Sequence, residues 1–408
     1  MSNEINNNRI GFCAILVAIY FALTPIHQML LLRNGSTINK YLSVFIVISI
    51  LIKQILNFRS ITFHTKITKV VIIITVYIVI STLWAISIES AINASISIIE
   101  YIFFTLIVCS TSWNDKEKKL FLTAIVFSCA IYAITLTRGD SESRAVLIGI
   151  NEEKTDPNML AANLAIGVII CLRAYLVARK AVVRWSSFAL MMITLYGIVA
   201  TGSRGGLIAC IVGMAYTLMN NKVSAKQIVR IVFVIIIIIL GYDFLVSGKS
   251  SINEAVIERF INEERVEGGN GRFKIWDQYL NMLSGQVYSI LVGNGFGNAG
   301  WGYSVFYHTK WMPSTHSDLI ELICEGGLIL AVLIGWLVIK TWKISKSQRN
   351  TIGNAALIVS LVAGISLNCF GRYIWWNCII LAYIGVDCFE NTEKINERKD
   401  ISHIADNR

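Results

Sequence analysis

Proline is nearly missing from this sequence, with three in 408 residues. Proline breaks helix interiors, so its scarcity suits a chain built mostly of long helices. Charge is also scarce. Only 15% of residues are charged, against about 25% in a soluble globular chain. Hydrophobic residues make up 55%, and the mean hydropathy is +0.62. Apolar runs of about 20 residues recur along the chain. Together these exclude an ordinary soluble enzyme and predict an all-α polytopic membrane protein.

Other absences narrow the chemistry. All nine cysteines (13, 109, 129, 171, 210, 324, 369, 378 and 388) lie in apolar runs, so neither a disulfide framework nor a zinc site is expected. The chain has no Walker loop, no H-E-x-x-H and no ligand-spaced Cys/His cluster. No metal and no cofactor is therefore expected. Asp156 and Glu325 are the carboxylates best placed to contribute if a metal site existed. The net charge of +10 does not indicate a nucleic-acid partner, because the basic residues fall in short clusters between apolar runs and not on one face. The stretch "GNGFGNAG" at 293–300 contains G-x-G-x-x-G, but no strand-to-helix unit surrounds it. It reads as a flexible, close-packing loop. No cleavable N-terminal segment is expected, since the run after Arg9 is too long for a signal-peptide core.

What remains is a series of spans. Twelve are predicted, near 10–32, 41–56, 68–88, 92–110, 119–137, 158–178, 182–200, 204–220, 226–246, 317–340, 352–370 and 372–389. This divides the chain into a nine-span region (1–246), a large loop between spans nine and ten (247–315), a three-span region (316–389) and a polar tail (390–408). Lysine and arginine favour the cytoplasmic side. With the N-terminus inside, 23 of the 36 basic residues are cytoplasmic. Seven fall in short outer loops or span ends: Arg33, Lys40, Arg138, Arg144, Lys154, Arg204 and Arg372. The large loop, which is then extracytoplasmic, holds six.

In this orientation three helix starts face outward with clear signals. Asp156 can cap the sixth span, with Pro157 at the first position and Asn158 after it. Ser203 can cap the eighth, which opens "SRGG" at Arg204. Thr315 and Asp318 have capping-box spacing before the tenth. Helix N-termini favour anions. An arginine there adds a fork for phosphate oxygens, and the glycines after Arg204 are expected to let a ligand approach closely. Arg204 read blandly is a headgroup anchor. Arg272, in "GGNGRFKIWDQYL", is predicted to head an amphipathic helix with Phe273, Trp276, Leu280 and Leu283 on its apolar face; read blandly it is a solvated loop charge. His316, at the outer mouth of the tenth span, can accept a proton at neutral pH. The carboxylates Asp318, Glu321 and Glu325 fall on the opposite helix face from it.

"DPNMLA" (156–161), "SRGG" (203–206), "GRFKIW" (271–276), "GNGFGNAG" and "HSDLIELICEGGLI" (316–329) occur in an order that resembles the O-antigen ligase and polymerase superfamily. The resemblance implies an inverting, metal-independent glycosyltransferase of the bacterial inner membrane with its site facing the periplasm. Its donor would be an oligosaccharide on undecaprenyl pyrophosphate. Its acceptor would be a sugar, on another lipid-linked repeat for a polymerase or on lipid A-core for a ligase. Membrane lipids and a chain-length regulator are the other partners implied. By the same resemblance His316 is catalytic and Arg204 and Arg272 bind pyrophosphate, with Asp156, Asn158, Ser203, Glu325 and Arg372 in support. "THSD" stands where many relatives have His-Asn. Either the Ser317 hydroxyl replaces that amide's hydrogen bonds or the acceptor differs. From another class, a flippase for the same lipid-linked sugar would carry midplane charges, broken helices or repeats.

Overall fold

The structure is a computed structural model, described here for residues 9–31, 37–56, 66–138, 145–148, 154–221, 271–285 and 287–387. Each expected span within those residues overlaps a helix, but not all of those helices are long enough to cross a membrane. The first eight helices are α1 (Phe12–Leu23, extended by a 3₁₀ turn to Met29), α2 (Ile38–Leu56), α3 (Thr68–Ser81), α4 (Ile88–Ser110), α5 (Asp115–Ile134), α6 (Pro157–Val177), α7 (Ala181–Ala200) and α8 (Arg204–Met219). The region expected as the large loop contributes α9 (Arg272–Gly285), α10 (Val287–Val292) and α11 (Ala299–Phe306). The last three are α12 (Asp318–Ser347), α13 (Thr351–Gly364) and α14 (Tyr373–Tyr383). Apart from the two-residue pairing of Thr137–Arg138 with Ala145–Val146 and the isolated bridges Leu31–Thr37 and Ile148–Lys154, the described secondary structure is helical. The expected ninth span, the first part of the large loop (247–270) and the tail (390–408) lie outside the described residues.

Among the described residues, six segments are long and apolar enough to cross a membrane: Phe12–Met29, Ile38–Leu56, Ile88–Ser110, Pro157–Val177, Ala181–Ala200 and Asp318–Ser347. Four shorter apolar helices accompany them. Their outward faces are apolar. Ile72, Val76 and Val79 on α3, and Val332, Trp336 and Ile339 on α12, are exposed. Water would not stabilise such a belt, whereas lipid would.

Helix α6 forms the centre of the bundle, buried without interruption from Met159 to Tyr175. Small residues let its neighbours approach it. A β-carbon at Gly206 or Gly213 of α8 would collide with Ala161 or Ile169 of α6, and one at Gly197 of α7 would meet Leu164 as well as Ala133 of α5. The far end of α6 is pinned by charge. Arg173 donates from Nε to both carboxylate oxygens of Asp387 (2.9 and 3.1 Å), and from its guanidinium to Asn221. Asp387 also accepts from the Thr351 N–H at 3.2 Å. Both ionised side chains are only 3% exposed.

Helix α12 is broken. Gly327 has φ 66° and ψ −171°, which no α-helix contains. The segment after α10 fills the break, and a β-carbon at Gly327 would strike the Leu291 carbonyl. The main-chain groups involved find tertiary partners. Asn294 N–H donates to Cys324 O (2.8 Å), and the Tyr77 hydroxyl donates to Gly326 O (2.7 Å). The expectation of a flexible loop at 293–300 is therefore corrected. Gly293, Gly295 and Gly297 all have positive φ. A side chain on them would collide with Glu325, Ala85 and Ala94 respectively. This segment is a packed wedge, fixed further by Asn298, which accepts from Ser87 N–H at 2.7 Å.

Candidate active site

Three helix N-termini converge at the end of the bundle opposite the Arg173 pin. Asp156 caps α6, accepting from Asn158 N–H at 2.8 Å, with Pro157 at the first position. Its own N–H donates to Gln28 Oε1 at 2.8 Å, which ties this corner to the turn after α1. Ser203 caps α8, accepting from Gly206 N–H at 3.2 Å, so Arg204 is the first helical residue. Packing shows that the starts are level with one another. Gly206 abuts Ala161 of α6, Gly205 abuts Ser366, and Gly364 abuts Asp318 of α12.

This contact set corrects the role expected for the glycines after Arg204. Gly205 and Gly206 are not an open approach for a ligand. They are where α8 packs against α6 and the end of α13, and a β-carbon at either would lie 2.4 Å from its neighbour. Local sequence could not distinguish the two uses, because both demand the absence of a side chain.

The capping box expected at Thr315 and Asp318 is also absent. Ser317 occupies the cap position of α12 and makes no side-chain capping bond. Thr315 is buried and turns to tertiary partners: its hydroxyl donates to Glu321 Oε2 (2.9 Å), with Asn368 Oδ1 an alternative acceptor at 3.0 Å. Asp318 accepts from Phe370 N–H at 2.8 Å.

His316 lies just before α12, with φ 48°. A left-handed backbone is uncommon for residues other than glycine. Two other described residues share it, His308 and Arg349. Both directly follow the last turn of a helix, α11 and α12, where a left-handed residue is a common way to stop. His316 precedes a helix, so that reason does not apply. A conformation costing about 1–3 kcal/mol persists where its surroundings over-determine it, often at functional sites.

The ring is half-buried, and its electrostatic surroundings identify its neighbours. Burial is the main cause that lowers its pKa below the ordinary 6.5, the charge of Arg272 lowers it further, and Asp156 opposes both. Residues far apart in sequence thus come within electrostatic range of one another: the cap of α6, the first residue of α9 and the turn before α12. The pairing of Asp156 with His316 had no signal in the sequence beyond each residue's place at a helix start.

Helix α9 forms where expected, but its apolar surface is divided. Tyr279, Met282 and Leu283 are buried, while Phe273 and Leu280 are 52% and 54% exposed. Gly271, at φ 80°, provides the turn that leads into Arg272.

The acidic face of α12 points elsewhere. Asp318, Glu321 and Glu325 line a cavity of about 300 Å³, together with Tyr101, Phe296 and Phe370. Glu325 lines the cavity beside Gly297, and its backbone abuts Gly293, so it belongs with the glycine wedge. Arg372, exposed at the cap position of α14, interacts electrostatically with Glu321 on this side. Among the described residues, no group of three or more His, Cys, Asp or Glu side chains is placed to hold a metal ion.

Residues 188–335 match the family described as O-antigen ligase. The resemblance drawn from the motifs holds over that stretch, which contains Arg204, Arg272 and His316 but not Asp156, Asn158 or Arg372. No curated protein matches the chain. A chain from a solved structure, described as "Structural coordination of polymerization and crosslinking by a peptidoglycan synthase complex", is 13% identical, with 81% of this chain and 98% of that one covered and a TM-score of 0.43. A likeness at that level carries no argument. The apolar helices suit a multi-pass membrane protein, and residues 188–335 are similar to the O-antigen ligase family.

Proposed function

We propose that the chain is a surface-polysaccharide polymerase of the inner membrane. In this reading it has twelve spans, both termini in the cytoplasm and the site facing the periplasm. It transfers oligosaccharide from undecaprenyl pyrophosphate to a sugar hydroxyl on another lipid-linked repeat. The observation that carries the reading is His316, held with positive φ beside Arg272 and Asp156 where three helix N-termini converge.

Neutral His316 accepts the proton of the acceptor hydroxyl as its oxygen bonds to the anomeric carbon. The bond from that carbon to the diphosphate oxygen breaks on the opposite face, so configuration inverts. The diphosphate leaves as an anion. Arg204 and Arg272, each the first residue of a helix, stabilise that charge with their forks and with helix N–H groups. This needs no metal, and EDTA should leave the purified enzyme active.

Two other readings each have an observation behind them. The matched family is described as O-antigen ligase, which favours transfer to lipid A-core. The break at Gly327 is a discontinuity of the kind found in transporters, although theirs lies near the bilayer midplane and this one lies at the start of the part of α12 that would cross. Deleting the gene separates all three. Loss of a polymerase leaves core bearing a single repeat, which is the expected result. Loss of a ligase leaves bare core with long glycan stranded on the carrier. Loss of a flippase traps single repeats on the cytoplasmic leaflet.

Acidity tests the base. The His316 pKa lies below 6.5, so the neutral form survives below the usual histidine range, and kcat/KM should fall only at more acid pH. Asp156→Asn keeps a good helix cap while removing the negative charge that raises the pKa. The acid limb of its profile should therefore move to still lower pH. A limb that stays in place, or rises, would show that His316 does not feel Asp156.

A further inference from the structure

Helix α9 carries Arg272, Trp276 and Tyr279 at offsets of four and then three residues. At 3.6 residues per turn they fall within about 60° of one another, on one face. That face meets the irregular segment 311–317. Trp276 Nε1 donates to Thr315 O at 2.8 Å, and the Tyr279 hydroxyl donates to Pro313 O at 2.6 Å.

The register is regular. Moving one turn back along α9, from Tyr279 to Trp276, advances two residues along the segment, from Pro313 to Thr315. Alternate carbonyls point the same way when a chain is extended, so one helix face can grip both. One further turn back reaches Arg272, and one further step of two residues reaches Ser317, beside His316. The grip thus brings the arginine to the turn that carries the histidine, whose pKa the charge of Arg272 lowers.

The grip also has something to hold. Thr315 is the residue before the left-handed His316, and both its carbonyl and its hydroxyl are bonded, the latter to Glu321 at 2.9 Å. Helix α9 is itself anchored on its other side, since the Tyr307 hydroxyl donates to Gln278 O at 2.8 Å.

We propose that Trp276 and Tyr279 are positioning residues, which set the spacing of Arg272 and His316 by holding the carbonyls of Thr315 and Pro313. The proposal rests on the roles given above to Arg272 and His316. Neither Trp276 nor Tyr279 touches the reacting atoms. Their effect passes through the backbone on either side of the histidine.

Tyr279→Phe keeps the ring and removes only the donor, and Trp276→Phe keeps an aromatic ring while removing the donor with part of the indole. Full-length protein in detergent, assayed with lipid-linked donor, should lose about 10- to 100-fold in kcat for each, the scale of a small misplacement at a reacting centre. Stability alone could cause such a loss, so a second measurement is needed. Two charged groups face His316: Arg272 from α9 and Asp156 from the start of α6. Loosening the grip exposes the ring and moves Arg272 away, so the histidine should titrate at higher pH. The acid limb of the activity profile should rise in both variants. The pH midpoint for carbethoxylation of His316, read by peptide mass spectrometry, should rise with it.

Lower turnover with an unchanged limb and midpoint would reduce both residues to ordinary packing and overturn the proposal. Unchanged turnover and midpoint would overturn it as well. A fully active His316→Ala protein would instead remove the base from the proposed function, while the carbethoxylation midpoint would still report whether the grip exists.

Discussion

His316→Ala should reduce glycan transfer by about 10²- to 10⁴-fold, the usual contribution of a general base, while His308→Ala retains activity. The two histidines share a left-handed backbone but not a reason for it. His308 ends α11 and is exposed, whereas His316 is half-buried beside Arg272 and Asp156. The arginines should respond with it. Arg204→Lys and Arg272→Lys keep the charge but lose the planar fork that binds two phosphate oxygens at once. Each should cost about 10²- to 10³-fold, as removal of a transition-state donor does. The assay is transfer from a lipid-linked donor by purified protein, with membrane levels checked by blotting. Full activity in both lysine variants would leave only a diffuse positive field. Full activity in His316→Ala would remove the base from the mechanism.

The second large effect is on stability. Arg173→Met leaves Asp387 buried and ionised without its partner, and loss of one member of a buried pair costs about 3–5 kcal/mol. Asp387 also accepts from the Thr351 N–H, so the damage should spread to the start of α13. Thermal unfolding in detergent should show a large fall in midpoint. The double variant Arg173→Met/Asp387→Leu, which removes both charges, should recover much of it. If the double variant is no better than the single, the loss comes from packing and not from an unpaired charge.

How much could be read beforehand depends on how local each signal was. Asp156 and Pro157 mark the start of α6 within two residues, and the structure starts it there. Ser203 caps α8 for the same reason. Apolar runs long enough for a helix are equally self-contained, so each expected span within the described residues overlaps a helix. Thr315 had the right spacing for a capping box, but Glu321 and Asn368 compete for it across the fold. Gly205 and Gly206 were assigned to a ligand because the atoms that fill their space, on Ser366 and Ala161, lie outside the motif. The electrostatic grouping of Asp156, Arg272 and His316 joins three distant segments, which periodicity does not report. The break in α12 did leave a trace, the glycine pair after Glu325. A pair of glycines inside an apolar run also suits close helix packing, so the pair alone does not identify a break.

The break also changes how α12 enters a bilayer. The segment 328–347 is by itself about 30 Å long at 1.5 Å per residue, enough to cross the hydrocarbon layer. Insertion machinery charges about 2.5–3.5 kcal/mol for an acidic residue at the centre of a span. Because the chain turns at Gly327, Asp318, Glu321 and Glu325 all precede the part that must cross. A continuous 30-residue helix would have to tilt to fit the layer and could draw those carboxylates into lipid. A substitution that straightened Gly327 would therefore affect membrane integration of the nascent chain before it affected any chemistry.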